Sequence, residues 1–321
     1  MTVEEDMIFN HIKGALYGVA IGDALGAPRE FLSREEAMDE YGPANNLQGG
    51  GVLRCTAGKC TDDTMMTIEE AYAIAEDPDD PVPLAGDRFI NWMIDDGFGI
   101  GITICNVLTA AEKIRIKQGR MLTTDQWMNL SKTYAETHRA CGNGALMRSI
   151  YPGLFYKMRN QASNTAIQLG RITHWDEQSD LAVMVYTQFI HDCTQLGKRP
   201  QKDQIQEDLI SARVHTSWCK PGISSYLDLK AEPTGWVVDS LKNALEAFYK
   251  KHTFEGTLRN AVERGGDADT IGASAGGIAG AWYGYNSIPR RWIDQLDPFI
   301  KECLNELAGQ AYRNRYGTDG E

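Results

Sequence analysis

Paired cysteines are the first thing this sequence lacks. Its seven cysteines (Cys55, Cys60, Cys105, Cys141, Cys193, Cys219 and Cys303) are odd in number, scattered, and never in a C-x-x-C arrangement. That excludes a zinc ribbon and a thioredoxin-type motif, and points to reduced thiols in a cytoplasmic protein. Long apolar runs are also missing. The most apolar stretch, Ile271–Tyr283, is too short to span a bilayer and dense in glycine and alanine, which predicts a buried helix and no membrane span. The acidic N-terminus MTVEEDMIFN has no apolar signal core. Basic charge is short as well: 32 Lys+Arg against 44 Asp+Glu leave a net charge of −12. Such a balance repels phosphate backbones and anionic lipid, so no nucleic-acid partner is expected. A small phosphate-bearing ligand stays possible where cations neutralise it locally.

Alternating strand patterns are nearly absent, and what remains reads helical. Ile12–Leu25, Met65–Ala75, Arg88–Ile94, Ile104–Ile116, Gln126–Thr137, Ser179–His191, Val237–Tyr249 and Phe254–Glu263 place apolar or small residues at a period near 3.6. Breaks fall at Gly42–Gly51, Asp77–Asp87, Gly197–Asp203 and Pro221–Gly235, none of them a long linker. The expectation is an all-α, compact multi-helix single domain over residues 1–321, and a monomer. Two glycine ladders sharpen it: Gly14, Gly18, Gly22 and Gly26, and Gly272, Gly276, Gly280 and Gly284. Residues four apart share one helix face, so each ladder offers a smooth strip to another backbone. Glycine costs a helix about 1 kcal/mol relative to alanine, so the ladders need a packing reason. The two helices are predicted to pack centrally and to bring their flanking acids together.

Those acids carry the chemistry. Thr61-Asp62-Asp63-Thr64 opens one helical run, and Asp267-Ala268-Asp269-Thr270, behind Gly265-Gly266, opens another. Either cluster alone could simply complement a helix dipole. Two matched sets of two carboxylates and a threonine hydroxyl, gathered in one place, would repel each other unless cations intervene. Oxygen donors without cysteine or histidine select hard ions such as Mg²⁺, Mn²⁺ or Ca²⁺, which predicts a central binuclear metal cleft. Glu30 follows Pro28, beyond a helix C-terminus, where a carboxylate is either solvated or held by a cation. Gly142-Asn143-Gly144 could offer backbone N–H groups to an anion such as a diphosphate, although such a triplet is more often only a turn. In Thr173-His174-Trp175-Asp176 the lone His174 is more often structural than catalytic. A terpene-synthase-like reading would want D-D-x-x-D, and Asp62-Asp63-Thr64-Met65-Met66 lacks the final acid.

In order along the chain, GALYGVAIGDALGAPREF, CTDDTMMT, CGNGALMRSIYPGL, RITHWDEQSD and RGGDADTIGASAGGIAGAWYG resemble the ADP-ribosylglycohydrolase family, and within it the bacterial form that reactivates dinitrogenase reductase. The resemblance spans about Ile12 to Gly284. It implies a metal-dependent hydrolase that cleaves ADP-ribose from a modified protein side chain, most simply arginine. Dinitrogenase reductase would be a candidate substrate protein and ADP-ribose the product. It implies two Mg²⁺ or Mn²⁺ ions held by Thr61, Asp62, Asp63, Asp267, Asp269 and Thr270, with Glu30 as the catalytic acid beside them. Gly142, Asn143, Gly144 and His174 would line the ADP-ribose site, and Trp236 would stack on adenine. Gly99 departs from the pattern, standing where dinitrogenase-type members carry an aspartate; Asp95 and Asp96 lie nearby. The alternatives are a non-catalytic ADP-ribose-binding member of the same fold, or a hydrolase of serine-linked or small-molecule ADP-ribosides.

Overall fold

The computed structural model describes residues 3–205 and 231–317. Along the chain run α1 (Val3–Gly26), α2 (Arg34–Tyr41), α3 (Asp62–Glu76), α4 (Val82–Asp95), α5 (Ile102–Gln118), α6 (Thr124–Thr137), α7 (Tyr151–Phe155), α8 (Arg159–Gly170), α9 (Glu177–Leu196), α10 (Val237–Lys250), α11 (Phe254–Val262), α12 (Ala268–Tyr283), α13 (Arg290–Gln295) and α14 (Pro298–Tyr316). Among the described residues there is no strand, only isolated bridges joining Gly50 to Cys55 and Gly142 to Trp236. The all-α expectation holds.

At the centre α1 and α12 lie side by side, as the ladders require. An added Cβ at Gly18 would stand 2.0 Å from the Gly276 carbonyl oxygen, and one at Gly22 would stand 1.9 Å from that of Gly272. The seam is backbone against backbone, which no residue with a side chain could reproduce without parting the helices. Around this pair, α12 also packs on α9, α10 and α11, while α1 packs on α14 and α3. Residues from all of these helices share one continuous apolar core. No described helix is long and apolar enough to cross a membrane.

Each periodic segment read from the sequence falls on a helix, except that Glu263 lies one residue past the end of α11. The Asp77–Asp87 break is shorter than expected, because Pro81 and Pro83 start α4 instead of extending the loop. The Pro221–Gly235 break and Cys219 lie largely or wholly outside the described residues. Two substantial helices, α8 and α14, were not read from the sequence. The signal was there in α14: Ile300, Cys303, Leu304, Leu307, Ala308 and Ala311 recur at helical spacing and are all buried.

Candidate active site

The site forms where the C-terminal end of α1 meets the N-terminal ends of α3 and α12. α1 stops at Gly26, whose missing Cβ would lie 2.2 Å from the Ala268 carbonyl oxygen. Ala27–Arg29 form a 3₁₀ turn, and Glu30 follows at φ −58° and ψ 138°. The chain then reverses at Phe31, a non-glycine residue at φ +65°. That conformation is held from outside: the Phe31 N–H donates to the Gly266 carbonyl (2.7 Å), and the Gly266 N–H donates to that of Leu32 (2.7 Å). Gly265 and Gly266 both adopt positive φ, and a Cβ on Gly266 would stand 1.9 Å from the Pro233 carbonyl oxygen. Glu30 is thereby clamped beside Asp267 and Asp269, and one carboxylate oxygen of each lies within 4.8 Å of the others.

Asp23, which the sequence reading passed over, is the hidden member of the cluster. It is fully buried on α1 and accepts from the Thr61 N–H (3.0 Å) and the Thr64 N–H (3.2 Å), and from the hydroxyls of Thr61 (3.0 Å) and Thr64 (2.5 Å). Thr61 occupies the N-cap position of α3, yet its own side chain makes no capping bond. One orphan donor of that helix start, the Thr64 N–H, is satisfied from a different helix. This locks the Thr61-Asp62-Asp63 turn against α1. An acid in the middle of an apolar, glycine-rich helix was the available clue, since aspartate is unfavourable there without a partner.

Six carboxylates thus share one region: Asp23, Glu30, Asp62, Asp63, Asp267 and Asp269. Among the described residues no lysine or arginine forms an ion pair with any of them. Burial, reinforced by Asp267 and Asp23, pushes the Glu30 carboxyl up to about 7. Burial raises Asp23 to about 6, against the hydrogen bonds from Thr64 and Thr61. Burial and the neighbouring acids push Asp62, Asp63 and Asp269 well above the usual carboxylate range. Asp63 Oδ1 is sealed from solvent and accepts no hydrogen bond. An all-oxygen donor set with uncompensated negative charge and an orphaned buried carboxylate oxygen fits hard divalent cations.

Glu30, Asp62, Asp267, Asp269 and Thr270 line a cleft of about 560 Å³, while Thr61 and Asp63 sit behind its wall. Gly142, Asn143, Gly144 and His174 line the same cleft, with apolar contributions from Leu53, Ile100, Ile104 and Met147. The Asn143 N–H is committed to the Gly235 carbonyl (3.1 Å), so it is not one of the free anion donors expected of this turn. The Asn143 amide instead donates to Ser240 Oγ (2.8 Å) and, through a short contact, to Asp267. It steers one acid of the cluster. Asp176, of the Thr-His-Trp-Asp segment, caps α9 through the Gln178 N–H (2.7 Å). Trp236 lines not the cleft but an adjoining pocket, with Trp175, His138 and Cys141, and its indole N–H donates to Gln178 (2.6 Å).

Gly99 stands at φ +86°, where an added Cβ would press at 3.0 Å on both Asp62 Oδ1 and Thr61 Cβ. A carboxylate there would be strained and thrust against an acid already short of positive charge. Asp95 and Asp96 do not line the cleft, and both are exposed; Asp96 pairs with Lys59 at 3.3 Å.

A family model described as ADP-ribosylglycohydrolase matches residues 4–321. The chain belongs to the ADP-ribosylglycohydrolase family. It is 30% identical over 305 residues to the ADP-ribosyl-[dinitrogen reductase] glycohydrolase of Rhodospirillum rubrum, covering 92% of this chain and 96% of that one. It is 29% identical to the ADP-ribosylarginine hydrolase Tri1 of Serratia proteamaculans, covering 97% of this chain and 81% of the relative. A solved structure described as an ADP-ribosylglycohydrolase-related protein complex superposes with a TM-score of 0.77 at 27% identity, covering 98% of this chain and all of that one. Membership of this family makes the chain a hydrolase of the glycosidase type, in keeping with an acid-lined cleft at the end of a buried helix pair.

Proposed function

We propose that this protein is a cation-dependent hydrolase that removes ADP-ribose from a modified protein side chain, with arginine as the linkage. The observation that carries the reading is the cluster of six buried or half-buried carboxylates at the cleft, with no basic partner among the described residues. The names of the relatives from Rhodospirillum and Serratia support ADP-ribose as the group released, and the latter supports arginine.

Thr61, Asp62, Asp63, Asp267, Asp269 and Thr270 would hold two Mg²⁺ or Mn²⁺ ions. Such ions supply charge neutralisation and orient oxygen ligands in a site of this kind. Hydrolysis breaks the C1″–N bond with a transition state resembling an oxocarbenium ion. The water oxygen bonds to C1″, the bonding pair leaves with the guanidine nitrogen, and the proton lost by water ends on that nitrogen. Glu30 would move that proton. It stands within 4.8 Å of the Asp267 and Asp269 carboxylates and lines the cleft, and a positioned carboxyl of this kind is a proton-transfer group. The Gly142–Gly144 turn and His174 would face the diphosphate and ribose. The adjoining pocket beside Trp236 would take the adenine, whose flat ring suits an indole.

A comparison of purified enzyme on arginine-linked and serine-linked ADP-ribosyl peptides tests the reading. Arginine-linked substrate should release ADP-ribose far faster. Faster release from serine would overturn the linkage and spare the reaction. Tight ADP-ribose binding without release from either peptide, in the presence of Mg²⁺ or Mn²⁺, would favour a binding protein, the reading to which the missing carboxylate at Gly99 belongs.

A further inference from the structure

Behind the cleft lies a run of buried polar groups that makes no hydrogen bond to the acidic cluster or to Glu30, although the charge of Arg148 is felt by Asp62. Glu70 on α3 and Arg148 are both essentially sealed from solvent, and Arg148 Nε donates to Glu70 Oε2 at 3.2 Å. Arg148 Nη1 donates to the Gly144 carbonyl through a short contact. Its Nη2 donates to Thr173 Oγ1 (3.0 Å) and to the Leu169 carbonyl (3.3 Å). Thr173 Oγ1 in turn lies 2.8 Å from His174 Nδ1, and the His174 ring reaches the cleft between Gly142 and Gly144. A Cβ on Gly144 would stand 2.8 Å from His174 Cε1, so the glycine there makes room for the imidazole.

The polarity of this chain follows from what each group can do. A guanidinium only donates, so Thr173 Oγ1 accepts from Arg148. Thr173 is fully buried, and among the described residues its single hydroxyl proton has one acceptor, His174 Nδ1. An Nδ1 that accepts leaves the imidazole proton on Nε2. That nitrogen has no partner among the described residues and faces the cleft. We propose that Glu70, Arg148 and Thr173 are positioning residues that fix His174 as a neutral Nε2–H donor aimed at an oxygen acceptor of the bound ligand. Burial and the charge of Arg148 hold the His174 imidazole down to about 3, so the ring stays neutral throughout the working pH range. The identity of the acceptor, an ADP-ribose oxygen, rests on the proposed function; the tautomer does not.

Nitrogen-15 NMR of histidine-labelled, ligand-free protein separates the two. Wild type should show His174 as the Nε2–H tautomer without change from pH 6 to pH 8. Thr173→Val, which removes the hydroxyl at nearly constant volume, should let the Nδ1–H form appear and raise the Kd for ADP-ribose about tenfold, the loss of one net hydrogen bond of about 1.4 kcal/mol. Thr173→Ser should restore both. An Nδ1–H tautomer in wild type overturns the proposal even if the valine variant does not fold, and so does a tautomer that Thr173→Val leaves unmoved. A shifted tautomer with unchanged ADP-ribose affinity would show that Nε2–H does not reach the ligand. An intact Nε2–H tautomer in a wild type that binds no ADP-ribose would leave the relay standing and sink the functional reading.

Discussion

The seam between α1 and α12 and the acidic cluster at its end are built by opposite rules. Along the seam contact is made by removing polarity and bulk: side chains are reduced to hydrogen so that two backbones touch, as Gly18 does against Gly276. At the cluster, a few residues along the same two helices, hydrogen bonds reach Asp23 and Asp267 but no ion pair offsets the gathered acids among the described residues. Buried acids crowd together, and the Asp63 Oδ1 oxygen has no hydrogen-bond partner. The seam is where the protein obtains rigidity, and the cluster is where that rigidity is used to hold charge that would otherwise disperse. A site that stores repulsion needs a scaffold that cannot relax, and a backbone-to-backbone contact has no rotamers with which to do so.

Breaking the seam should give the largest effect. Gly22→Ala places a methyl 1.9 Å from the Gly272 carbonyl oxygen, with no side chain able to move aside. It should cost about 3 kcal/mol or more, at the upper end of overpacking penalties, and be visible as a large fall in thermal midpoint. The same change at Gly309 on α14 meets only the mobile end of Arg313, and should stabilise by up to about 1 kcal/mol. Equal losses at both positions would mean that the seam has no special status.

Removing a member of the cluster should do the reverse, abolishing chemistry while sparing the fold. Asp269→Ala should eliminate detectable release of ADP-ribose, and the metal-free variant should melt no lower than metal-free wild type, because a buried acid that is costly to ionise has gone. Chelation should inactivate wild type, and Mg²⁺ or Mn²⁺ should restore it. Full activity after verified cation removal would end the binuclear proposal.

Glu30→Gln keeps the shape and removes the proton-transfer group. It should lower kcat by about 10²–10⁴-fold while ADP-ribose still binds, measured by turnover and by calorimetry. The sequence neighbours of Gly99 make the contrast: Asp95→Asn and Asp96→Asn, both exposed and outside the cleft, should each stay within about tenfold of wild type. If Asp96→Asn is as damaging as Glu30→Gln, the acid–base assignment moves to Asp96, just past the end of α4.

The smallest effect is on pH-dependent stability of the metal-free protein. Glu30 is raised to about 7 and Asp23 to about 6 in the fold, both above their ordinary values of 4.5 and 3.8. The folded state therefore holds these protons more tightly than the unfolded chain. The stability they lend is full below about 4 and is lost as pH rises through 6 and 7. Thermal melts of the metal-free protein should rise from pH 8 to pH 5.5, and saturating Mg²⁺ should flatten that slope. A metal-free slope of opposite sign would show that the cluster is compensated after all.

The helices and the packing of the two ladders were legible because both are written in local spacing: apolar residues at 3.6 and glycines at four. The acidic blocks were legible because each is contiguous. Asp23 was harder. Its partners, Thr61 and Thr64, lie about forty residues away and reach it only once α1 and α3 pack. Trp236 shows the converse, since a residue that suits stacking says nothing about which of two adjoining pockets it will line.

By itself the sequence determined the helical class, the closeness of α1 to α12 and the oxygen-only character of the donor set. Those follow from residue type and period, which do not depend on where the chain turns. Only the tertiary structure decided that Glu30 is pinned to Gly266 through Phe31, that Asn143 steers Asp267, and that Asp95 and Asp96 face away. Each of these depends on directions in space, and a one-residue shift on a helix turns a side chain by about 100°. The strained Phe31 and the crowded space at Gly99 belong to the same class, because no local preference would choose them; the contacts around them do.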